Sequence, residues 1–172
     1  MNIAYADPPY LGQCARYGHR HDDGCWDRPE THLALLTRLV EEFPDGWALS
    51  CSSPSLRLLL PATPPDTRVA AWVKPLVTLK PNVWPAHAWE PILFRGGRRG
   101  SRTADTPFDW HYGQMRQGRS LTGAKPAEFC SWLLRVLGYE EGDEIVDVFP
   151  GTGVMGMVAA QGTLPLQAEV EL

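Results

Sequence analysis

Apolar positions in this chain fall into two kinds of run: short continuous stretches and longer stretches spaced by three and four residues. The first kind reads as strands, the second as helices. Asn2 to Ala6 predicts a buried strand that ends in Asp7-Pro8-Pro9-Tyr10, where two prolines forbid the ladder to continue and leave the acid at the strand's carboxyl end. A polar loop, Leu11 to Arg28, leads to a helix opened by Pro29, with Leu33, Leu36, Leu39, Val40 and Phe43 on its apolar stripe and Pro44-Asp45-Gly46 as its stop. Trp47 to Cys51 and Arg68 to Val73 predict further strands, separated by a helix around Ser55 to Leu60 and the breaker Pro61 to Pro65. Ala88 to Phe94 reads as another strand, at a sheet edge if Pro91 lies inside it. Pro126 to Leu137 predicts a helix with Phe129, Leu133, Val136 and Leu137 toward the core and Gly138 as its cap. Glu144 to Phe149 is an apolar strand followed by Pro150-Gly151-Thr152-Gly153 and a helix over Val154 to Ala160. Alternation of this kind predicts an α/β fold, a mostly parallel sheet with helices on both faces. Trp47, Trp72 and Trp132 fall on its core positions.

With 172 residues, 44% hydrophobic and 21% charged, the chain has material for one sizeable core, and residues 1–172 read as a single domain. The four cysteines form no C-x-x-C pair and the N-terminus carries no signal-peptide pattern, which points to free thiols in a reducing cytoplasm. No apolar run approaches the roughly 20 residues of a membrane span.

The net charge of -4 argues against a nucleic-acid partner until its distribution is considered. Between Arg95 and Lys125 seven basic residues face two acidic ones, so this stretch is +5 and the remainder -9. Glycines and the aromatics Phe108, Trp110 and Tyr112 are interleaved with the charge. The stretch is either a solvated linker or a phosphate-binding surface. Lys74 and Lys80, each followed by proline, are open to the same two readings.

A strand, a glycine turn and a helix bring backbone N–H groups close to a ligand, because glycine has no Cβ and tolerates positive φ. Gly151, Gly153 and Gly156 also fit the dinucleotide pattern G-x-G-x-x-G, with Glu171 near the offset of a ribose acid, so a nicotinamide or flavin site is a rival reading. The chain stopping at Leu172 counts against it.

Asp7-Pro8-Pro9-Tyr10 together with Asp147 to Gly153 resembles the two signature motifs of the DNA amino-methyltransferases. Thr122-Gly123-Ala124-Lys125-Pro126 is similar to the Thr-x-Lys-Pro segment that precedes their cofactor strand, with one extra residue. The tetrapeptide first and the glycine turn last resembles the permuted, beta-class order, with the recognition segment between them. The basic stretch 95–120 occupies that place. The resemblance implies a circularly permuted, Rossmann-like S-adenosylmethionine-dependent methyltransferase sheet, shortened at the C-terminus, acting on DNA. It implies a catalytic set of Asp7, Pro8, Pro9 and Tyr10, a cofactor set of Asp147, Phe149, Gly151, Gly153, Lys125 and Glu171, and phosphate contacts from Arg98, Arg99, Arg102 and Arg116. The leading Asp implies N6 of adenine by the same resemblance. N4 of cytosine, adenine in RNA, and a non-catalytic DNA-binding relic stay open, as does a homodimer.

The composition of the tetrapeptide suits that chemistry. The lone pair of an exocyclic amine is delocalised into its ring, and acceptors on its N–H groups, here the Asp7 carboxylate and the Pro8 carbonyl, draw it out toward a methyl donor. Tyr10 offers an aromatic face to a base flipped from the helix. The crowd Cys14, His19, His21, Asp22, Asp23 and Cys25 has the spacing C-x4-H-x-H-x3-C, which matches no common zinc pattern, so no metal is expected.

Overall fold

The computed structural model describes residues 1–14, 25–75, 83–113 and 124–162. Among these residues run six strands, β1 (Asn2–Ala6), β2 (Gly46–Ser50), β3 (Arg68–Val73), β4 (Trp89–Gly96), β5 (Trp110–Tyr112) and β6 (Glu144–Asp147). They form one sheet in the order β5-β3-β4-β2-β1-β6. β1 runs parallel to both its neighbours, β2 and β6, and β3 runs parallel to β5. Only β4 runs against its neighbours, β2 and β3. The mostly parallel α/β sheet read from the sequence is the sheet observed.

Helices cover both faces. On one side α1 (Pro29–Glu42) and the short α2 (Leu56–Leu59) bury Leu35, Leu36, Leu39 and Leu59 against Ala4, Ala6, Trp47, Leu49 and Leu93. On the other, α3 (Ala127–Val136) and α4 (Val154–Ala160) bury Phe129, Trp132, Leu133 and Met155 against Ile3, Tyr5, Trp72, Ile92 and Phe94. Alternate residues of β1 therefore enter different cores, which is why the run is apolar throughout. The three tryptophans assigned to the core are all buried there.

The stripe of α1 is turned slightly from the expected one. His32 and Leu35 are buried while Leu33 and Val40 are only partly covered. His32 joins the stripe because its Nε2 donates to the Trp26 carbonyl at 2.7 Å, which removes the cost of burying the imidazole. α1 stops at Phe43, whose φ of -124° and ψ of 63° leave the helical region directly before Pro44. On α3 the buried set extends to Cys130, Ser131, Trp132 and Leu134, and Val136 is less covered than expected.

One expectation is corrected. Pro91 does lie inside β4, yet β4 is flanked by β2 and β3 rather than standing at an edge. The Pro91 carbonyl accepts from the Cys51 N–H at 3.1 Å, so the side of Pro91 that lacks a donor faces β2 just beyond its last residue, Ser50. Its other partner, Ala71, sends its N–H to Asp109 on the β5 side, so the one bond that Pro91 forgoes is the return bond to the Cys51 carbonyl, where β2 has already ended. A strand not predicted from the sequence also appears: part of the glycine-rich basic stretch is ordered as β5, with Trp110 and Tyr112 outward and His111 stacked on Trp132 at 5.5 Å.

α3 ends in a Schellman arrangement: the Tyr139 N–H bonds the Leu134 carbonyl at 2.9 Å and the Gly138 N–H bonds that of Arg135 at 3.0 Å. Gly138, the expected cap, has φ of 64°, and a Cβ there would stand 2.4 Å from the Arg98 carbonyl oxygen. The Arg98 side chain completes the joint, donating to the Gly138 carbonyl at 2.8 Å and to both oxygens of Asp143 at 2.9 and 3.2 Å. Gly138→Ala is accordingly expected to lower unfolding free energy by about 1–3 kcal/mol, the cost of a strained left-handed residue, measured by urea denaturation. An unchanged midpoint would show that the α3–β6 corner relaxes freely.

Candidate functional site

β1 and β6 pair in the register Tyr5↔Asp147, and the Val148 N–H extends the ladder to the Tyr5 carbonyl at 2.9 Å. Both chains leave the sheet at the same end immediately afterwards. One continues as Asp7-Pro8-Pro9-Tyr10 and the other as Phe149-Pro150-Gly151-Thr152-Gly153. Two motifs about 140 residues apart in sequence thus stand side by side at the carboxyl ends of parallel strands, the usual place for a ligand on such a sheet.

In the glycine turn, Gly151 and Gly153 take φ of 47° and 73°, conformations that side chains disfavour. A Cβ on Gly153 would meet no atom within 4 Å, so the turn borders open space. The Asp147 Oδ1 accepts from the Phe149 N–H at 3.2 Å, and burial pushes the Asp147 carboxyl above its ordinary value. The Phe149 ring meets Trp26 edge-on, with centroids 5.0 Å apart.

Around Asp7 the structure gathers residues that sequence distance hides. Lys125, just ahead of α3, donates to Asp7 Oδ1 at 2.8 Å, and its ammonium reaches the Tyr10 hydroxyl at 3.3 Å and Glu90 Oε2 at 3.4 Å. The Tyr10 hydroxyl donates to Glu90 Oε2 at 2.9 Å. Lys74 closes the group by pairing with Glu90 Oε1, and its ammonium lies 4.5 Å from the centre of the Trp72 ring. Because β4 alone runs antiparallel, its first residues, Trp89 and Glu90, reach the end of the sheet where β1 stops.

Burial pushes the Asp7 carboxyl above its usual value, and the opposing pull of the Lys125 ammonium does not restore it. Glu90 responds oppositely. Its burial also favours the neutral acid, but Lys125, Lys74 and the Tyr10 hydroxyl outweigh this and hold it at about 2. The Tyr10 hydroxyl is pushed well up, by burial first and then by the charges of Glu90 and Asp7, so it remains a donor. Burial lowers Lys74, against the attraction of Glu90.

Of the residues expected at the site, the structure brings together Asp7, Pro8, Pro9, Tyr10 and Lys125, and beside them Asp147, Phe149, Gly151 and Gly153. Lys125, expected on the cofactor, stands on the Asp7 carboxylate. Glu171, Arg116 and Lys80, and His19, His21, Asp22 and Asp23 of the loop, lie outside the described residues. Arg98 is engaged internally with Asp143 and with Glu140 at 3.1 Å, whereas Arg99 and Arg102 are exposed. Phe108 and Trp110, both exposed, stack at 5.9 Å near them in the chain. Lys74, open to a solvated reading, is mostly buried on Glu90. Glu90 is a site residue that the motifs do not indicate. Its one signal in the sequence is that it is the only charge within the apolar run from Ala88 to Phe94.

No protein-family model matches the chain, and no curated protein does. Solved structures do. A PvuII DNA methyltransferase (cytosine-N4-specific) superposes with a TM-score of 0.64 at 13% identity, over 94% of this chain and 71% of that one. M1.HpyAVI in complex with SAM gives 0.56 at 15% identity over 93% and 78%, and M1.HpyAVI alone 0.58 at 11% over 94% and 75%. The chain shares their fold, that of the S-adenosylmethionine-dependent methyltransferases.

The Glu90 ion pairs carry a pH dependence. A carboxyl held at about 2 when folded, against 4.5 otherwise, contributes stability that is present above about 4.5 and is lost as pH falls toward 2. Glu90→Gln is expected to be less stable than the parent at pH 7 and to show a flatter decline across that window, measured by thermal melts from pH 7 to 2. Parallel curves for the two proteins would show that Glu90 is not held by its lysines.

Proposed function

We propose that this protein transfers a methyl group from S-adenosylmethionine to the exocyclic amino group of a base in DNA, N6 of adenine. The observation that carries the reading is the pairing of β1 with β6, which sets Asp7-Pro8-Pro9-Tyr10 beside the glycine turn. The names of two fold neighbours, one complexed with SAM and one a cytosine-N4-specific DNA methyltransferase, support it from outside.

The turn suits the donor. Gly151 and Gly153 adopt backbone conformations that side chains disfavour, Gly153 borders open space, and Asp147 and Phe149 stand at its base. These residues would hold the cofactor, with Glu171 as the proposed ribose acid. The donor supplies an electrophilic methyl on a sulfonium. Asp7 accepts a hydrogen bond from the substrate amino group, the Pro8 carbonyl accepts the second, and both orient the nitrogen lone pair. As positive charge develops on that nitrogen, the Asp7 carboxylate stabilises it, more strongly for being desolvated. Buried Pro8 and Pro9 fix the carbonyl, and Tyr10, tethered through its hydroxyl to Glu90, presents its ring to the base.

N4 of cytosine is the second reading, favoured by the higher TM-score of the cytosine-N4-specific neighbour. Purified protein, S-adenosylmethionine carrying a labelled methyl group and mixed-sequence DNA decide between them: a nucleoside digest is expected to contain labelled N6-methyladenine. N4-methylcytosine would establish the second reading, and a product in neither base would overturn both. Asp7→Ala is expected to abolish transfer with donor affinity retained, and Gly151→Val to lose both. Near-normal turnover of Asp7→Ala would sink the mechanism.

For DNA contact, exposed Arg99 and Arg102 are the arginines proposed to neutralise phosphates, Arg116 with them. Arg98 serves first as the internal joint. Removing one phosphate-neutralising arginine should lower the salt slope of DNA binding by about 0.9, so an Arg99→Ala, Arg102→Ala double variant should flatten it by roughly twice that. An unchanged slope in the folded double variant would make the segment a solvated linker.

A further inference from the structure

Asp7 is not open as it stands. Lys125 donates to its Oδ1 at 2.8 Å, and that oxygen is one of the acceptors a substrate amino group requires. The Lys125 side chain is only 9% exposed, so its ammonium cannot simply be released into solvent. A buried charge stripped of its partner costs several kcal/mol. A second carboxylate stands ready at 3.4 Å, Glu90 Oε2, which lies across Lys125 from Asp7. Glu90 is itself fixed from behind by Lys74 and also holds the Tyr10 hydroxyl.

We propose that Glu90 is a positioning residue for Asp7: it is the second seat of the Lys125 ammonium, which passes from Asp7 to Glu90 as a substrate amino group takes the Asp7 oxygen. The proposal rests on the reading of Asp7 as the amine acceptor. Nζ already pairs with both carboxylates, at 2.8 Å from Asp7 and 3.4 Å from Glu90, so a small shift makes Glu90 the nearer partner with no change in net charge and no proton moved. The two lysines and two carboxylates stay balanced throughout, which is what allows so polar a cluster to remain half-buried. Lys74 keeps Glu90 in place whether Lys125 is near or far, and the hydroxyl of Tyr10 follows Glu90, so the ring that meets the base is held while the ammonium moves.

The groups facing Asp7 are Lys125, Glu90 and Tyr10, with Lys74, Tyr5, Cys130 and Asp147 further off. Glu90→Gln keeps the shape and an acceptor for Tyr10 but removes the carboxylate of the second seat, so that the Lys125 ammonium favours Asp7. Two consequences follow for the whole chain. The Asp7 carboxyl, followed by 13C NMR and assigned with Asp7→Asn, should titrate lower by about one pH unit, and the acid limb of kcat/KM should move down with it. The kcat on DNA should fall about 10- to 100-fold while the KM for S-adenosylmethionine stays unchanged. Lys74→Met should act in the opposite sense on the titration, freeing Glu90 to draw Lys125 and raising the Asp7 midpoint. A crystal structure of Asp7→Asn should show Lys125 Nζ on Glu90.

An Asp7 midpoint unmoved in both variants, or Lys125 remaining on residue 7 in Asp7→Asn, overturns the proposal. Loss of the Glu90 charge by itself also lowers the Asp7 midpoint, so the position of Lys125 in the Asp7→Asn crystal is the reading that a merely structural Glu90 would not move. The titrations and the crystal structure need no turnover, so a parent protein inactive on DNA would defeat the functional reading and leave the Glu90 seat decided separately.

Discussion

Parallel pairing between β1 and β6 is the interaction on which the rest depends, because it fixes in one register both the two cores and the two motifs at the carboxyl end of the sheet. β1 sends Ile3 and Tyr5 to the α3 side and Ala4 and Ala6 to the α1 side. Since side chains alternate along a strand, a slip of one residue would exchange the two sets and place Tyr5, whose hydroxyl bonds Ser50 at 2.9 Å, in the wrong core. The same slip would move the Asp7 end of β1 relative to the Phe149 turn. Stability of the sheet and geometry of the site are therefore one constraint.

A second constraint is electrostatic. The end of the sheet carries Asp7, Glu90, Lys74 and Lys125 in a space where none is fully solvated. Each charge alone would be expensive there, and their mutual pairing makes the group tolerable. The pairing is uneven, however. Glu90 is held by two lysines and sits at about 2, whereas burial leaves the Asp7 carboxyl raised in spite of Lys125. A carboxylate that its surroundings do not fully satisfy is the one best placed to accept hydrogen bonds from a ligand.

The reversed strand links these two constraints. Had β4 run parallel to its neighbours, Glu90 would lie at the opposite end of the sheet, far from β1's last residue. Its antiparallel course brings Glu90 to the site and lets the end of the strand, through Gly97, Arg98 and Gly138, be stapled to the corner between α3 and β6. The charged residues of the 95–99 segment thus have divided work. Arg98 closes the fold, Arg95 pairs with Asp66 at 2.7 Å, and Arg99 is left exposed.

By itself the sequence determined what depends on local pattern. Strand and helix periods, prolines that end β1 and α1, the Gly138 cap and the two signature motifs are all readable within windows of a dozen residues, because backbone propensity and burial pattern act at that range. β5 escaped because three residues between glycines and charges carry too little pattern, and its strand character comes from pairing with β3. Pro91 misled because whether a missing N–H matters depends on where the facing strand stops. The tertiary structure alone decided which charges meet. That Lys125 rests on Asp7, that Glu90 and Lys74 share the site, and that Arg98 belongs to a corner are consequences of strand order and direction, which join residues 16 to 118 positions apart by chain crossings that no local window contains.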